Sequence, residues 1–384
     1  MKKISLLTLL FVFPFALFAQ KLTLGSCPVV EGEGAARVVG QYKGQMSMGK
    51  PQGKGSILYE NGNTYEGEFV KGKRQGYGIY TFADGEKYEG QWFQNQQHGQ
   101  GTYYFANNNK YVGLWFRDYQ QGHGIMYYYN GDRYEGEWFQ DKRQGKGVYT
   151  FSTGAFYKGQ WVNDQKSGKG FFDWGDGSSY DGLWFHNVRE GKGVYKYAGG
   201  DTYTGNWKND IQEGKGIYKF TNGDLYEGEY VQGERTGEGI FRLANGDKYT
   251  GHFEKGEKNG IGTMTWRNGD SYTGGWKNDL QHGKGKLVKK GGDTFEGNFK
   301  AGKIDGDVVI HYADGSKYKG VYKEGKRNGP AIEETKDGKR FEGTYKDDAR
   351  HGKFVEKDRN GQITKRGHYD QGRRYEDEAS KPVT

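Results

Sequence analysis

The chain repeats itself every 23 residues without an insertion or deletion, and nothing else in it limits the fold as strongly. The stretch YEGEFVKGKRQGYGIYTFADGEK, residues 65–87, returns as YEGQWFQNQQHGQGTYYFANNNK and again as YVGLWFRDYQQGHGIMYYYNGDR. An aromatic residue followed two places later by Gly anchors each repeat. The anchors are Tyr42, Tyr65, Tyr88, Tyr111, Tyr134, Tyr157, Tyr180, Tyr203, Tyr226, Tyr249, Tyr272, Phe295, Tyr318 and Phe341. A weaker fifteenth unit lies at Lys365 to Tyr369, one residue out of phase. With the anchor as repeat position 1, Gly fills position 3 throughout and position 12 in all fourteen repeats, from Gly53 to Gly352. It fills position 14 in the first eleven, from Gly55 to Gly285, and position 21 in thirteen, Asn108 being the exception.

Positions 1, 3 and 5, and again 14, 16 and 18, carry aromatic, small or apolar residues that alternate with polar ones. A period of two means strands, not helices. The Asn-Gly and Asp-Gly pairs ending at position 21 predict two-residue hairpin turns. The Gly-rich stretch before position 12 predicts a second, longer turn. The expected fold is therefore all-β: an elongated, single-layer antiparallel β-hairpin solenoid of 14 to 15 repeats. A single layer has no second sheet to cover its apolar face. The repeat offers a remedy, since large rings at positions 1 and 5 flank glycines over which a ring can lie. One inserted residue would turn a strand's rings to the wrong side, which accounts for the strict period.

Composition decides between this fold and disorder. Only 33% of residues are hydrophobic and 68 are Gly, which by itself points to a disordered chain. Nine Trp, 31 Tyr and 22 Phe point the other way, because they supply the bulk of a core. The net charge of +8 is mild, and the charges are interspersed, as in EKYEG and GKRQG. No basic stripe is present, so nucleic acid is not an expected partner. A single Cys excludes an internal disulfide.

The N-terminus reads as a separate object. Lys2 and Lys3 precede an apolar run from Ile4 to Phe18 and then Ala19, the layout of a signal peptide spanning residues 1–19. Cleavage after Ala19 would place the protein in the periplasm, the cell envelope or outside the cell. Two alternatives are a retained anchor and lipoprotein processing at LGSC, with Cys27 acylated. Residues 20–39 read as a linker, 40–372 as the repeat array and 373–384 as a tail. Within the array 306–372 is degenerate. Position 14 becomes Val308, Ala331 and Phe354, while Glu333, Thr335, Glu356 and Asp358 replace apolar residues at positions 16 and 18. This end is expected to cap the sheet edge or to form a separate binding surface.

The recurring words YEGEF, YEGQW, YEGEW and YTGNW, with the GKG or GYG and the NGD that follow in the repeat, resemble the MORN repeat family over about residues 40–345. The resemblance implies β-hairpin arrays that act as interaction modules: scaffolds, oligomerisation platforms and proposed membrane-lipid binders. Some members carry catalytic domains, such as phosphatidylinositol phosphate kinases or lysine methyltransferases, but no segment here fits one.

Searches for chemistry lead to the same reading. His98, His123, His186, His252, His282, His311, His351 and His368 are scattered over the repeat, and no carboxylate or Cys cluster accompanies them. No Ser or Cys stands in a nucleophile elbow. The Gly-x-Gly pairs recur with no helix after them, so they are hairpin geometry and not phosphate loops. No enzyme activity, cofactor, metal or small-molecule substrate is expected. The aromatic ladder suits a polysaccharide platform as well as a core. More telling are apolar residues on the second face of the strands: Phe93, Val112, Leu114, Phe116, Tyr127, Phe139, Leu183 and Phe185, with Tyr104 in the same phase as Tyr127. These are the candidate interface. The expected function is a noncatalytic scaffold in the cell envelope that binds a protein partner or a second copy of itself. The alternative is peripheral binding to anionic membrane or polysaccharide.

Overall fold

The computed structural model describes residues 22–32, 37–370 and 372–377, so the signal-peptide reading of 1–19 lies outside the described residues. The chain is all-β. Its 31 strands, numbered from β1 (Thr23–Glu31) to β31 (Arg373–Glu376), form an unclosed antiparallel sheet, with no helix among the described residues. Contacts divide it into two compact units, residues 1–165 and 166–384. Within each unit a strand pairs with the next one in sequence.

The first strand is a departure from the sequence reading. The stretch 20–39, read as a linker, contains β1, which pairs along its length with β2 (Val38–Ser47), Cys27 opposite Tyr42. TLGSCPVVE carries none of the repeat's words, so nothing marked it as part of the sheet. Likewise β31 occupies the start of the expected tail.

The turns are the reverse of those expected. β4 (Thr64–Val70) and β5 (Lys73–Thr81) are joined by Lys71 and Gly72 alone, both left-handed, at φ 50° and 85°. That is the two-residue turn of a tight hairpin, and it lies at positions 7 and 8. Gln94-Asn95 and Arg117-Asp118 repeat it without glycine. Asn and Asp tolerate this conformation best among residues with a Cβ. The Asn61-Gly62 pair instead sits in a four-residue connection, where Gly62 N–H donates to the Tyr59 carbonyl. Position 12 is a bulge. Gly67 faces Gly78 and Phe69 faces Arg74, so Gln75, Gly76 and Tyr77 oppose the single Glu68, with Gly76 at φ 73°.

The core lies within the sheet. In the repeats that keep both glycines, positions 3 and 14 pair across the hairpin and between hairpins, as in Gly101–Gly113–Gly124–Gly136 of the first unit, and make a bare stripe across the strands. The position-1 Tyr lies on it. A Cβ on Gly124 would stand 2.2 Å from the Tyr111 hydroxyl oxygen. Tyr111 is wholly buried, its hydroxyl donates to the Leu114 carbonyl at 3.0 Å, and its ring meets Trp115 and Trp138 edge-on, both at 5.3 Å. Trp138 Nε1 donates to the Gly124 carbonyl at 3.1 Å. Each buried ring contributes roughly 1.5–3 kcal/mol through area and about 1 kcal/mol more through edge-to-face geometry.

Up to three side chains per repeat tie it to its neighbour through backbone N–H groups. The position-8 Asp or Asn accepts from position 10 of the repeat before, as Asp164 does from Arg143 at 3.0 Å. Position 11 accepts from position 7 of the next repeat, as Gln144 does from Asn163 at 3.0 Å. Position 22 accepts from position 19 of the next, as Asp132 does from Ser152 at 2.8 Å. The Thr221 N–H and the Tyr218 hydroxyl hold the Asp201 carboxyl below the usual carboxylate range.

The degenerate end of the second unit keeps a core by other means. Val308, Ala331 and Phe354 fill the glycine stripe and pack with Ile310, Tyr318, Phe341, Tyr345 and Tyr369. Glu333 and Glu356 pair with Arg350 and Arg374, whose guanidinium groups cover the rings of Phe341 and Phe354. Tyr369, from the out-of-phase fifteenth unit, closes this cluster.

Candidate interaction surfaces

The two faces of the sheet differ. On the ring face, position 10 lies over the Trp of the following repeat. In the first unit the Arg74 guanidinium carbon stands 4.3 Å from the Trp92 ring and that of Arg143 stands 4.4 Å from Trp161. Arg143 also pairs with Asp164, Nε to Oδ1 at 3.1 Å, and its Nη2 donates to the Asp164 carbonyl at 3.0 Å. The second unit repeats this with Arg189, Trp207 and Asp210. Between Arg74 and Arg143, position 10 is Gln97 and then Gln120. There the ring face opens into a groove of about 610 Å³ over Trp115 and Trp138.

On the other face, five position-6 residues of the first unit are apolar and exposed at the tight-turn edge: Val70, Phe93, Phe116, Phe139 and Val162. The three Phe rings are 47–50% exposed. His98 sits between two of them, its ring 5.5 Å from Phe93 and 5.3 Å from Phe116, and Tyr119 pairs opposite Phe116. The structure thus sets the predicted Phe93, Phe116 and Phe139 in one row. Val70 and Val162 belong to the same row and were missed, although their shared repeat position was a sufficient signal.

The remaining candidates have local work. Leu114 lies against the bulge glycine Gly122, and Leu183 in the second unit against Gly191. Val112 is half-buried between Thr102 and Ile125. Tyr127 lies between Lys110, at 4.7 Å, and Arg133, at 5.8 Å, its cross-strand partners. Phe185 is 55% exposed and stacks on His186 at 4.1 Å.

The second unit carries two further features. Its outer face forms a shallow groove of about 1200 Å³ lined by Val309, Val321 and Ile332, with charges already paired, as in Lys286–Glu296 and Arg340–Glu342. At its tight-turn edge Lys277, Lys300, Lys303, Lys323, Lys326 and Lys346 are exposed, with no carboxylate partner among the described residues. No group of three or more His, Cys, Asp or Glu that would hold a metal occurs among the described residues.

With this geometry in hand, comparison with known proteins gives a clear family. The MORN repeat model matches fourteen consecutive segments, from 42–64 to 341–362. The chain belongs to the MORN repeat family. A pure array of MORN repeats suggests a repeat scaffold of the kind used for protein or membrane binding. No curated protein matches the chain. Among solved structures it is similar to the SAS-4 (dCPAP) TCP domain in complex with a proline-rich motif of Ana2 (dSTIL) of Drosophila melanogaster. That match has 14% identity over 41% of this chain and 85% of that one, at a TM-score of 0.27. It is also similar to a mutant TCP10 domain of Danio rerio CPAP, with 14% identity over 58% of this chain and 99% of that one, at a TM-score of 0.24. At these scores neither likeness bears on what the MORN array binds.

Proposed function

We propose that this MORN array is a noncatalytic scaffold of the cell envelope that holds a protein partner, or a second copy of itself, along the apolar edge of its first unit. The observation that carries the reading is the exposed row of Val70, Phe93, Phe116, Phe139 and Val162. Single exposed apolar residues are ordinary, whereas a contiguous row of rings marks a docking surface. Repeats are two strands apart, about 9.6 Å, so such a row offers a partner several equivalent contacts in register. Export after Ala19 is the companion proposal. It rests on the charged, apolar and small-residue layout of residues 1–19, and cleavage after Ala19 is preferred to processing at Cys27 because Thr23–Ser26 form the first part of β1.

The test combines Phe93→Glu with Phe116→Glu in residues 20–384. Partner capture from envelope extract, or self-association by sedimentation, should fall at least tenfold while the β-sheet circular dichroism is unchanged. Unaltered assembly would sink the proposal, and loss of the sheet would assign both residues to local packing.

The second reading, attachment to anionic membrane, is favoured by the unpaired Lys277–Lys346 edge of the second unit. Binding of that kind weakens steeply with salt, and an apolar protein interface does not.

A further inference from the structure

We infer that the groove over Trp115 and Trp138 receives two cationic side chains, arginine or lysine, from an extended basic segment of a partner. This surface is on the ring face, away from the apolar edge, so the inference stands independently of the scaffold proposal.

The chain itself shows what the site accepts. On either side of the groove a cation of the repeat lies over the next Trp, Arg74 over Trp92 and Arg143 over Trp161. A cation over an indole face, partly shielded from water, is a favourable pair. Trp115 and Trp138 have no cation over them among the described residues, because position 10 is Gln97 and Gln120. The carboxylates that would pair with that cation are still present. Asp118 and Asp141 accept the Gln97 and Gln120 backbone N–H groups, both at 2.7 Å, but have no ion-pair partner among the described residues. At the groove's end Asp164 is neutralised by Arg143, so the net charge of the site is that of the two free carboxylates.

The two glutamines add unpartnered polar groups to the groove. Both residues are more than nine-tenths buried and line the groove, yet neither carboxamide has a hydrogen-bond partner among the described residues. The amide tips themselves are not among the fully buried unpartnered atoms, so they face the open groove. Gln212, at the same repeat position in the second unit, reaches the Tyr197 hydroxyl at 3.0 Å. The residues equivalent to Tyr197 beside Gln97 and Gln120 are Phe82 and Phe105, which have no hydroxyl. Polar groups therefore face open space between rings and beside carboxylates, a setting for a guanidinium or ammonium group that can also donate to the amide oxygens.

Spacing narrows the partner. The two sites are one repeat apart, about 9.6 Å by strand spacing. A polyproline II segment presents every third residue on one side at about 9.3 Å. A segment with Arg or Lys at every third position fits both sites at once.

The probe is a peptide with Arg at every third position and Pro between, titrated into residues 20–384 and followed by calorimetry and Trp fluorescence. Saturable binding is expected, weakened at least tenfold when Gln replaces the arginines. Gln120→Arg supplies the missing cation internally and should weaken binding at least tenfold with the fold intact. Asp141→Asn, which retains the turn and the backbone acceptor, should weaken it severalfold and flatten its salt dependence. The inference is overturned if the Gln peptide binds equally, if Gln120→Arg and Asp141→Asn both leave affinity unchanged, if no binding occurs, or if a neutral glucan oligosaccharide competes for the groove and binds more tightly.

Discussion

Gly124→Ala tests the central claim, that the position-1 rings use the glycine stripe as their floor. The new Cβ would lie 2.2, 2.4 and 2.5 Å from the Oη, Cζ and Cε2 atoms of Tyr111. Ordinary contact is about 3.5 Å or more, so the ring must retreat by roughly 1 Å. Tyr111 is fully buried between two Trp edges and has no room to do so. Overpacking of this kind costs about 1–3 kcal/mol, and loss of the hydroxyl's bond to the Leu114 carbonyl about 1–3 kcal/mol more. The expected destabilisation is about 2–5 kcal/mol. The chain contains its own precedent. Where position 14 is Ala331, the Tyr318 hydroxyl is buried with no hydrogen-bond partner, unlike the position-1 tyrosines that face glycine. Gly154→Ala is the control: nothing lies within 4 Å of its Cβ, so only left-handed strain at φ 93° remains, about 1–2 kcal/mol. Adding Tyr111→Phe removes the nearest atom, so the double variant should be at least about 1 kcal/mol better than the sum of the singles. The assay is urea denaturation by Trp fluorescence together with hydrogen exchange in β8 (Lys110–Phe116) and β9 (Tyr119–Tyr127). A Gly124→Ala loss below about 0.5 kcal/mol, or one no greater than that of Gly154→Ala, would refute the reasoning.

Two other outcomes follow from the same core. Burial raises the position-1 phenols, to about 12 for Tyr180, Tyr226 and Tyr272 and still higher for Tyr111 and Tyr134. An unfolded phenol ionises near pH 10, so above that pH the unfolded chain binds fewer protons and stability falls by about 1.4 kcal/mol per pH unit for each buried phenol. Tyrosinate absorbance should therefore rise together with loss of β-sheet circular dichroism in one steep step; smooth ionisation near pH 10 with the sheet intact would contradict the burial argument. At the tight turns, Asp210→Ala removes the acceptor of the Arg189 N–H and places a Cβ without polar compensation at φ 66°, with an expected loss of about 1–3 kcal/mol. Asp210→Gly relieves the strain alone and should lose less in thermal denaturation, so equal losses would remove the conformational part of this account.

Much of this molecule was legible from one dimension. The period of 23, the alternation of positions 1, 3 and 5, and the absence of polar clusters were enough for an all-β hairpin array, a ring-on-glycine core and a family. Phe93, Phe116 and Phe139 were found as off-phase apolar residues because alternation alone assigns a strand's two faces. What a linear reading cannot assign is which residues of neighbouring hairpins meet. The three-against-one bulge at Gly76 shifts the register so that position 10 falls on the Trp of the next repeat, and that shift is invisible in either segment alone. The turn exchange has a similar cause: position 8 can be Asp or Asn in place of Gly because its side chain is satisfied by a backbone N–H of the preceding repeat, an energy available only once the repeats are stacked. Local pattern therefore determined the strands and core residues of the repeats, but not β1, while the tertiary register determined the two surfaces, because a groove or a row exists only after several hairpins have been aligned by bonds between them.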